Sequence, residues 1–133
     1  MAGRIHRFED LIAWQKARVL AREIYRVSKL RTFRSDYPLR NQIRKASISI
    51  PSNIAEGFER ARQREFHQFL SIAKGSCAEL RTQLYLAFDA EHIDDQTLNE
   101  LLQTSEEVGR IIGGLCKSVQ KRLTQHSALS SQH

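Results

Sequence analysis

Apolar residues return every three or four positions along nearly the whole chain, the period of an amphipathic α-helix rather than the alternation of a half-buried strand. From Asp10 to about Leu30 the repeat is Trp14, Ala17, Leu20, Ala21, Ile24 and Val27, with Arg18, Arg22, Arg26 and Lys29 on the opposite side. A polar linker follows from Arg31 to Tyr37, and Pro38 then suits the first turn of a second helix, where its missing N–H would have no intrahelical partner. Leu39, Ile43, Ala46, Ser47, Ile50, Ile54 and Phe58 form the inner stripe of that helix. Pro51 removes one of its backbone hydrogen bonds and should bend it, and Gly57 either ends it or lies within it. The third helix has the strongest stripe: Phe66, Phe69, Leu70, Ala73, Cys77, Leu80, Leu84, Ala87 and Phe88. Asp94, Asp95 and Thr97 are alternative caps for a fourth, which keeps the period through Leu98, Leu101, Val108, Ile112, Leu115, Cys116, Val119 and Leu123.

Four such helices joined by short connections predict one all-α domain over residues 1–133, an up-down-up-down antiparallel four-helix bundle. The expected helices span 10–30, 38–58, 63–90 and 95–125, with a flexible tail over 126–133. Each also bears apolar residues off its main stripe: Ile12, Val19 and Leu30 on the first, Ile48 and Ala55 on the second, Ile72 and Leu86 on the third, Ile111 on the fourth. A monomer leaves these in water, so they are candidate subunit contacts and the chain is a candidate ring-forming protomer.

Charge sharpens this picture. The chain has a formal net charge of +6, yet residues 1–64 hold 15 basic and 6 acidic side chains while residues 65–133 hold 6 and 9. Such asymmetry points to a polyanionic partner or to subunits that pair opposite faces. Two cysteines, Cys77 and Cys116, make no disulfide framework, and the chain reads as reduced and cytoplasmic. The longest apolar run, Ile111 to Cys116, is far short of the roughly 20 residues of a membrane span. The charged N-terminus does not read as a signal peptide.

Catalytic chemistry is hard to find. No Glu-x-x-His pair of the di-iron bundles occurs, and His6, His67, His92, His126 and His133 are dispersed enough that each reads as a lone surface histidine. The segment Gly109-Arg110-Ile111-Ile112-Gly113 lacks the strand and the lysine of a phosphate-binding loop, and reads as small residues that let helices approach. The cysteines sit on core stripes, where a buried apolar role is usual. Glu56 and Glu79 fall off the core near Asn53 and Gln83, and read as a polar lock on helix register or subunit contact, with Arg44 or a neighbouring subunit as the partner. The expectation is a non-enzymatic protein without cofactor or metal.

The basic side chains form two groups. One is the first-helix stripe of Arg18, Arg22, Arg26 and Lys29, and the other is Arg40, Arg44, Lys45, Arg60, Arg62 and Arg64. Guanidinium forks suit phosphate, and the scarcity of aromatic residues between them favours the phosphate backbone of structured RNA or DNA over splayed bases. The alternative is a structural scaffold or protein-interaction module, its charged face merely solvated.

Particular segments add a resemblance. They are Phe8-Glu9-Asp10-Leu11-Ile12-Ala13-Trp14-Gln15-Lys16-Ala17, then Gln42-Ile43-Arg44-Lys45-Ala46 with Ser49-Ile50-Pro51-Ser52-Asn53-Ile54-Ala55-Glu56-Gly57. Glu65-Phe66, Phe69-Leu70, Ile72-Ala73, Gly75-Ser76 and Glu79-Leu80 continue the pattern. Together they resemble the bacterial four-helix-bundle proteins associated with intervening sequences in 23S rRNA genes. The chain departs from that pattern at Arg44-Lys45, where members often have paired arginines, and at Tyr37-Pro38-Leu39. The resemblance implies a bundle that assembles as a homo-oligomer, a ring of five being preferred, with no established enzyme activity. A more distant, mostly architectural likeness is to the accessory variability determinants of diversity-generating retroelements, basic pentameric bundles that engage nucleic acid and a reverse transcriptase.

Overall fold

The computed structural model describes residues 4–131, except for the side chains of residues 126 and 128–131. Four α-helices make up most of it: α1 (Ile12–Ser28), α2 (Tyr37–Glu59), α3 (Gln63–Asp89) and α4 (Asp95–Ser131). There is no strand among the described residues. α1 packs on α2 and α4, and α3 packs on the same two helices, which gives the antiparallel up-down-up-down square. The core is the one the periodicity predicts: Ala17, Leu20, Ile24, Ile43, Ile50, Ile54, Leu70, Ala73, Cys77, Leu80, Leu84, Val108, Ile112 and Val119 have no solvent exposure. Among the described residues no helix is long and apolar enough to cross a membrane.

Helix boundaries follow local chemistry. Phe8–Asp10 forms a 3-10 turn instead of the first turn of α1, and the Gln15 side chain donates to the Glu9 carbonyl at 2.9 Å. Asp36 caps α2 by accepting from the Leu39 amide, with Pro38 in the first turn as expected. α2 stays helical through Pro51, and Gly57 lies inside it. Asp94 is the cap of α4, accepting from the Thr97 amide at 2.8 Å. α4 runs past its expected end near residue 125 to Ser131; residues 132 and 133 lie outside the described residues.

The link Arg31–Ser35 is more than a polar connection. It forms a 3-10 turn that buries Phe33 completely and stacks it on His92, ring centres 5.0 Å apart. His92 is thus no lone surface histidine: its side chain is 9% exposed, its Nε2 donates to Asp36 Oδ2 at 2.8 Å, and its Nδ1 pairs with Thr32 Oγ1 at 2.8 Å. One imidazole therefore ties the α1–α2 link to the α3–α4 turn, at the N-cap of α2. The His92 bond first, and the Leu39 amide second, hold the Asp36 carboxyl below its ordinary range.

Two predictions follow from this packing. A Cβ on Gly57 would sit 2.7 Å from Phe69 Cβ, an atom fixed to its own backbone, whereas one on Gly75 would meet nothing within 4 Å. Overpacking costs about 1–3 kcal/mol against the ~1 kcal/mol alanine gains in helix propensity. Gly57→Ala should therefore destabilise the bundle while Gly75→Ala stabilises it, as urea midpoints will show. A carboxyl whose folded pKa is lowered adds stability that is present above its unfolded pKa, about 4, and is lost as pH falls through the folded value. Asp36→Asn should accordingly be less stable than the native chain near neutral pH, and the difference should shrink in denaturation series carried below pH ~4.

Candidate nucleic-acid interface

The ten basic residues singled out in the sequence are spread along the length of the α1–α2 pair, with Arg18 near the middle. Arg40 and Arg60 are twenty residues apart on α2 and its C-terminal cap, roughly 30 Å along the axis at 1.5 Å per residue. Arg60, Arg62 and Arg64 consequently do not join the others. Arg60 reaches back to Glu56 at 3.1 Å and lies over the Phe69 ring, while Arg62 approaches Glu65 at 4.0 Å.

Towards the other end, α1 and α2 do bring cations together. Arg18, Arg22 and Lys29 recur at spacings of four and seven and so share one face with Tyr25. Arg44 of α2 lays its guanidinium on the Tyr25 ring, 4.8 Å from the centroid, and its Nε donates to Ser28 Oγ at 2.8 Å. Ser28 is fully buried and donates in turn to the Tyr25 carbonyl, so its hydroxyl is satisfied in both directions. Arg44 thus has its plane and one edge fixed, and its two terminal nitrogens have no hydrogen-bond partner among the described residues. Arg40 lies one turn away, stacked 4.7 Å from Tyr37 and donating to the Arg34 carbonyl at 2.9 Å. Arg18 sits 5.7 Å over Trp14, and Arg26 pairs with Glu23 at 2.8 Å. Lys45 is exposed. The anchors Tyr25 and Ser28 went unnoticed in the sequence, because nothing in a single helix pattern says which residue of the next helix will cross it there.

The candidate subunit contacts are partly where the pattern put them. Ile12, Val19, Leu30, Ile48, Ile72 and Leu86 are between 42% and 61% exposed. Ile111 is a correction: it is half-buried and packs on the core, because α4 turns that side towards the bundle. Within the chain, Arg44 is not the partner of Glu56 or Glu79. Glu56 pairs with Arg60, Arg44 with Ser28, and Asn53 donates to the Ser49 carbonyl at 2.7 Å and to Ser49 Oγ at 2.9 Å. Ser49 and Ser76 share a hydrogen bond of 2.9 Å between α2 and α3, so the polar joint of these helices is Asn53–Ser49–Ser76. Glu79 is exposed with no salt bridge among the described residues, and Gln83 is buried with its Oε1 unpaired.

Reactive groups are muted. Burial pushes the Cys77 thiol up to about 11 and raises Cys116 too, the opposite of an activated nucleophile. Thr32, His92 and Asp36 have the order of a hydroxyl–imidazole–carboxylate relay, but Asp36 is engaged as a helix cap and His92 is held face-on by Phe33. Among the described residues, no three His, Cys, Asp or Glu side chains are grouped to hold a metal ion.

A crystal structure of a protein of unknown function from the S23 ribosomal protein family of Bacteroides thetaiotaomicron shares this fold. The TM-score is 0.73 at 21% identity, covering 80% of this chain and 99% of that one. No curated protein matches the chain. A family model described as the 23S rRNA-intervening sequence protein matches residues 9–114, which take in α1, α2, α3 and the first half of α4. With the α1–α2 face and nearly all of the core inside that span, the chain belongs to the 23S rRNA-intervening sequence protein family.

Proposed function

We propose that this chain is a non-enzymatic, self-associating bundle that binds structured RNA or duplex DNA by its phosphate backbone, through the α1–α2 face. The observation behind this is Arg44, a guanidinium preset by Tyr25 and Ser28 with its terminal nitrogens free, flanked by the exposed cations Arg18, Arg22 and Lys29. A preset fork loses less entropy on meeting a phosphate than a free side chain does. Tyr25 is half-buried under Arg44 and Tyr37 carries the Arg40 guanidinium, so both rings are engaged by arginines, which favours contact with the backbone over stacking of bases. The distant likeness to retroelement accessory bundles points the same way.

Self-association is supported by exposed apolar side chains on two different helices, Ile12 and Val19 on α1 and Ile72 and Leu86 on α3. Head-to-tail rings need two different faces on each subunit, and five copies is the number the family resemblance implies. The same exposed side chains are what favour the second reading, a scaffold or protein-interaction module without nucleic acid.

Changing Arg18, Arg22 and Lys29 together to Gln should weaken binding to an RNA hairpin or DNA duplex and lower the log–log salt slope by up to about 0.9 per lost contact. Filter binding across a salt series measures this, with circular dichroism to show the helices intact. If the native oligomer binds neither RNA nor DNA at low salt, the scaffold reading stands instead. In light scattering, the native chain should be larger than a monomer at micromolar concentration, and Ile72→Glu with Leu86→Glu should shrink it without loss of helix. A monomeric native chain would remove the self-association reading.

A further inference from the structure

The half of the chain that counts as acidic contains a group of four cations without a salt bridge among the described residues. Lys74 and Arg81 of α3 face Arg110 and Lys117 of α4 across a surface groove of about 640 Å³, lined besides by Glu106, Gly109, Gly113 and Gly114. Glu106 is the lone carboxylate of the lining. The two α3 cations lean across onto α4: Arg81 Nη1 lies 3.7 Å from where a Gly109 Cβ would be, and Lys74 Nζ 3.7 Å from that of Gly113. The exposed Lys74 and the half-buried Arg81 are thus brought towards like charges on α4, an arrangement that becomes favourable once an anion lies between them. The glycines have no positive φ, so the backbone does not require them, and in a helix interior each is a propensity loss. What they supply is room for the Arg81 and Lys74 ends to lie over α4, close to the row of Arg110 and Lys117, with only Gly114 left uncovered.

We propose that the α3–α4 groove is a second polyanion site that seats a single sugar–phosphate strand. A groove between two packed helices is too narrow to admit a duplex, whereas one strand can lie along it. No aromatic residue lines the groove, so bases are not stacked there and the site reads phosphates without sequence preference. In the square bundle α3 and α4 form the side opposite α1 and α2, so the site is separate from the α1–α2 face and stands or falls independently of it.

The test uses the full chain already changed to Gln at Arg18, Arg22 and Lys29, with a labelled oligothymidine of about 20 nucleotides as probe. Lys74→Gln with Lys117→Gln should reduce affinity roughly tenfold at moderate salt and lower the salt slope by about 1.4, the value for two contacts on a single strand. Gly109→Leu with Gly113→Leu fills the groove at constant charge and should cost a similar factor. Arg4→Gln with Arg62→Gln removes two cations away from the groove, beside the α2–α3 turn, and should change little. Groove-filled protein that binds like its parent, or the outside pair losing as much as the groove pair, would overturn the assignment. So would inorganic polyphosphate displacing nothing while duplex DNA competes fully. Should the leucine variant lose its helical signal, the lysine pair against the outside pair still decides.

Discussion

Gly57 lets α2 come so close to α3 that its Cα nearly touches Phe69 and Phe66, and this contact sets how the two helices slide against each other. Ser49 and Ser76 can then meet at 2.9 Å, with Asn53 holding Ser49 from one turn further on. Once that pair is in register, the free flank of α2 receives α1, which is what lays Arg44 on Tyr25 and Ser28. The free flank of α3 receives α4, which is what brings Lys74 and Arg81 over Gly113 and Gly109. Both basic faces are therefore downstream of one close crossing, in which no charge takes part.

Counting charges by sequence halves misleads because screening is local. At physiological salt the Debye length is about 8 Å, so exposed charges further apart than this hardly feel each other. Asp89, Glu91, Asp94, Asp95 and Glu100 supply most of the acid in the second half, and they gather around the α3–α4 turn. Arg110 is sixteen residues beyond Asp94, roughly 24 Å along α4. Those carboxylates cannot neutralise the groove, whatever the sum says. In the basic half, by contrast, Arg26, Arg60 and Arg62 have carboxylates beside them, and the cations that stay open are fewer than the count of fifteen suggests.

The bundle was legible in the sequence because its cause is one-dimensional: a stripe at helical spacing is buried wherever the helix packs, and the buried residues follow those stripes closely. What pairs across helices was not legible. Arg44 was expected to serve Glu56 or Glu79, but those lie on the α2–α3 side, while Arg44 points to the α1 side, where Ser28 meets it. Phe33 and His92 were missed for the same reason, since a linker aromatic and a turn histidine 59 positions apart gain meaning only when the two loops meet at one end of the bundle. Gly109 and Gly113 of α4 were expected to let helices approach, yet what lies nearest to them is side chain from α3, the ends of Arg81 and Lys74.

That distinction matters for the proposed binding of nucleic acid. Ion pairs such as Arg26–Glu23 and Arg60–Glu56 are exposed and worth about 0–1 kcal/mol, so a phosphate can displace the carboxylate at little expense. Open cations such as Lys74 and Lys117 have nothing to give up. Placed on opposite sides of a rigid square, a preset arginine face and the α3–α4 groove cannot serve the same stretch of backbone, because the core lies between them. Two segments held at once turn the second contact into an intramolecular step, with effective concentrations up to the millimolar range when the intervening strand can reach. A partner that folds back on itself, offering paired and unpaired backbone within one molecule, fits this geometry better than a straight duplex does, and repetition of the subunit in a ring would multiply the same advantage.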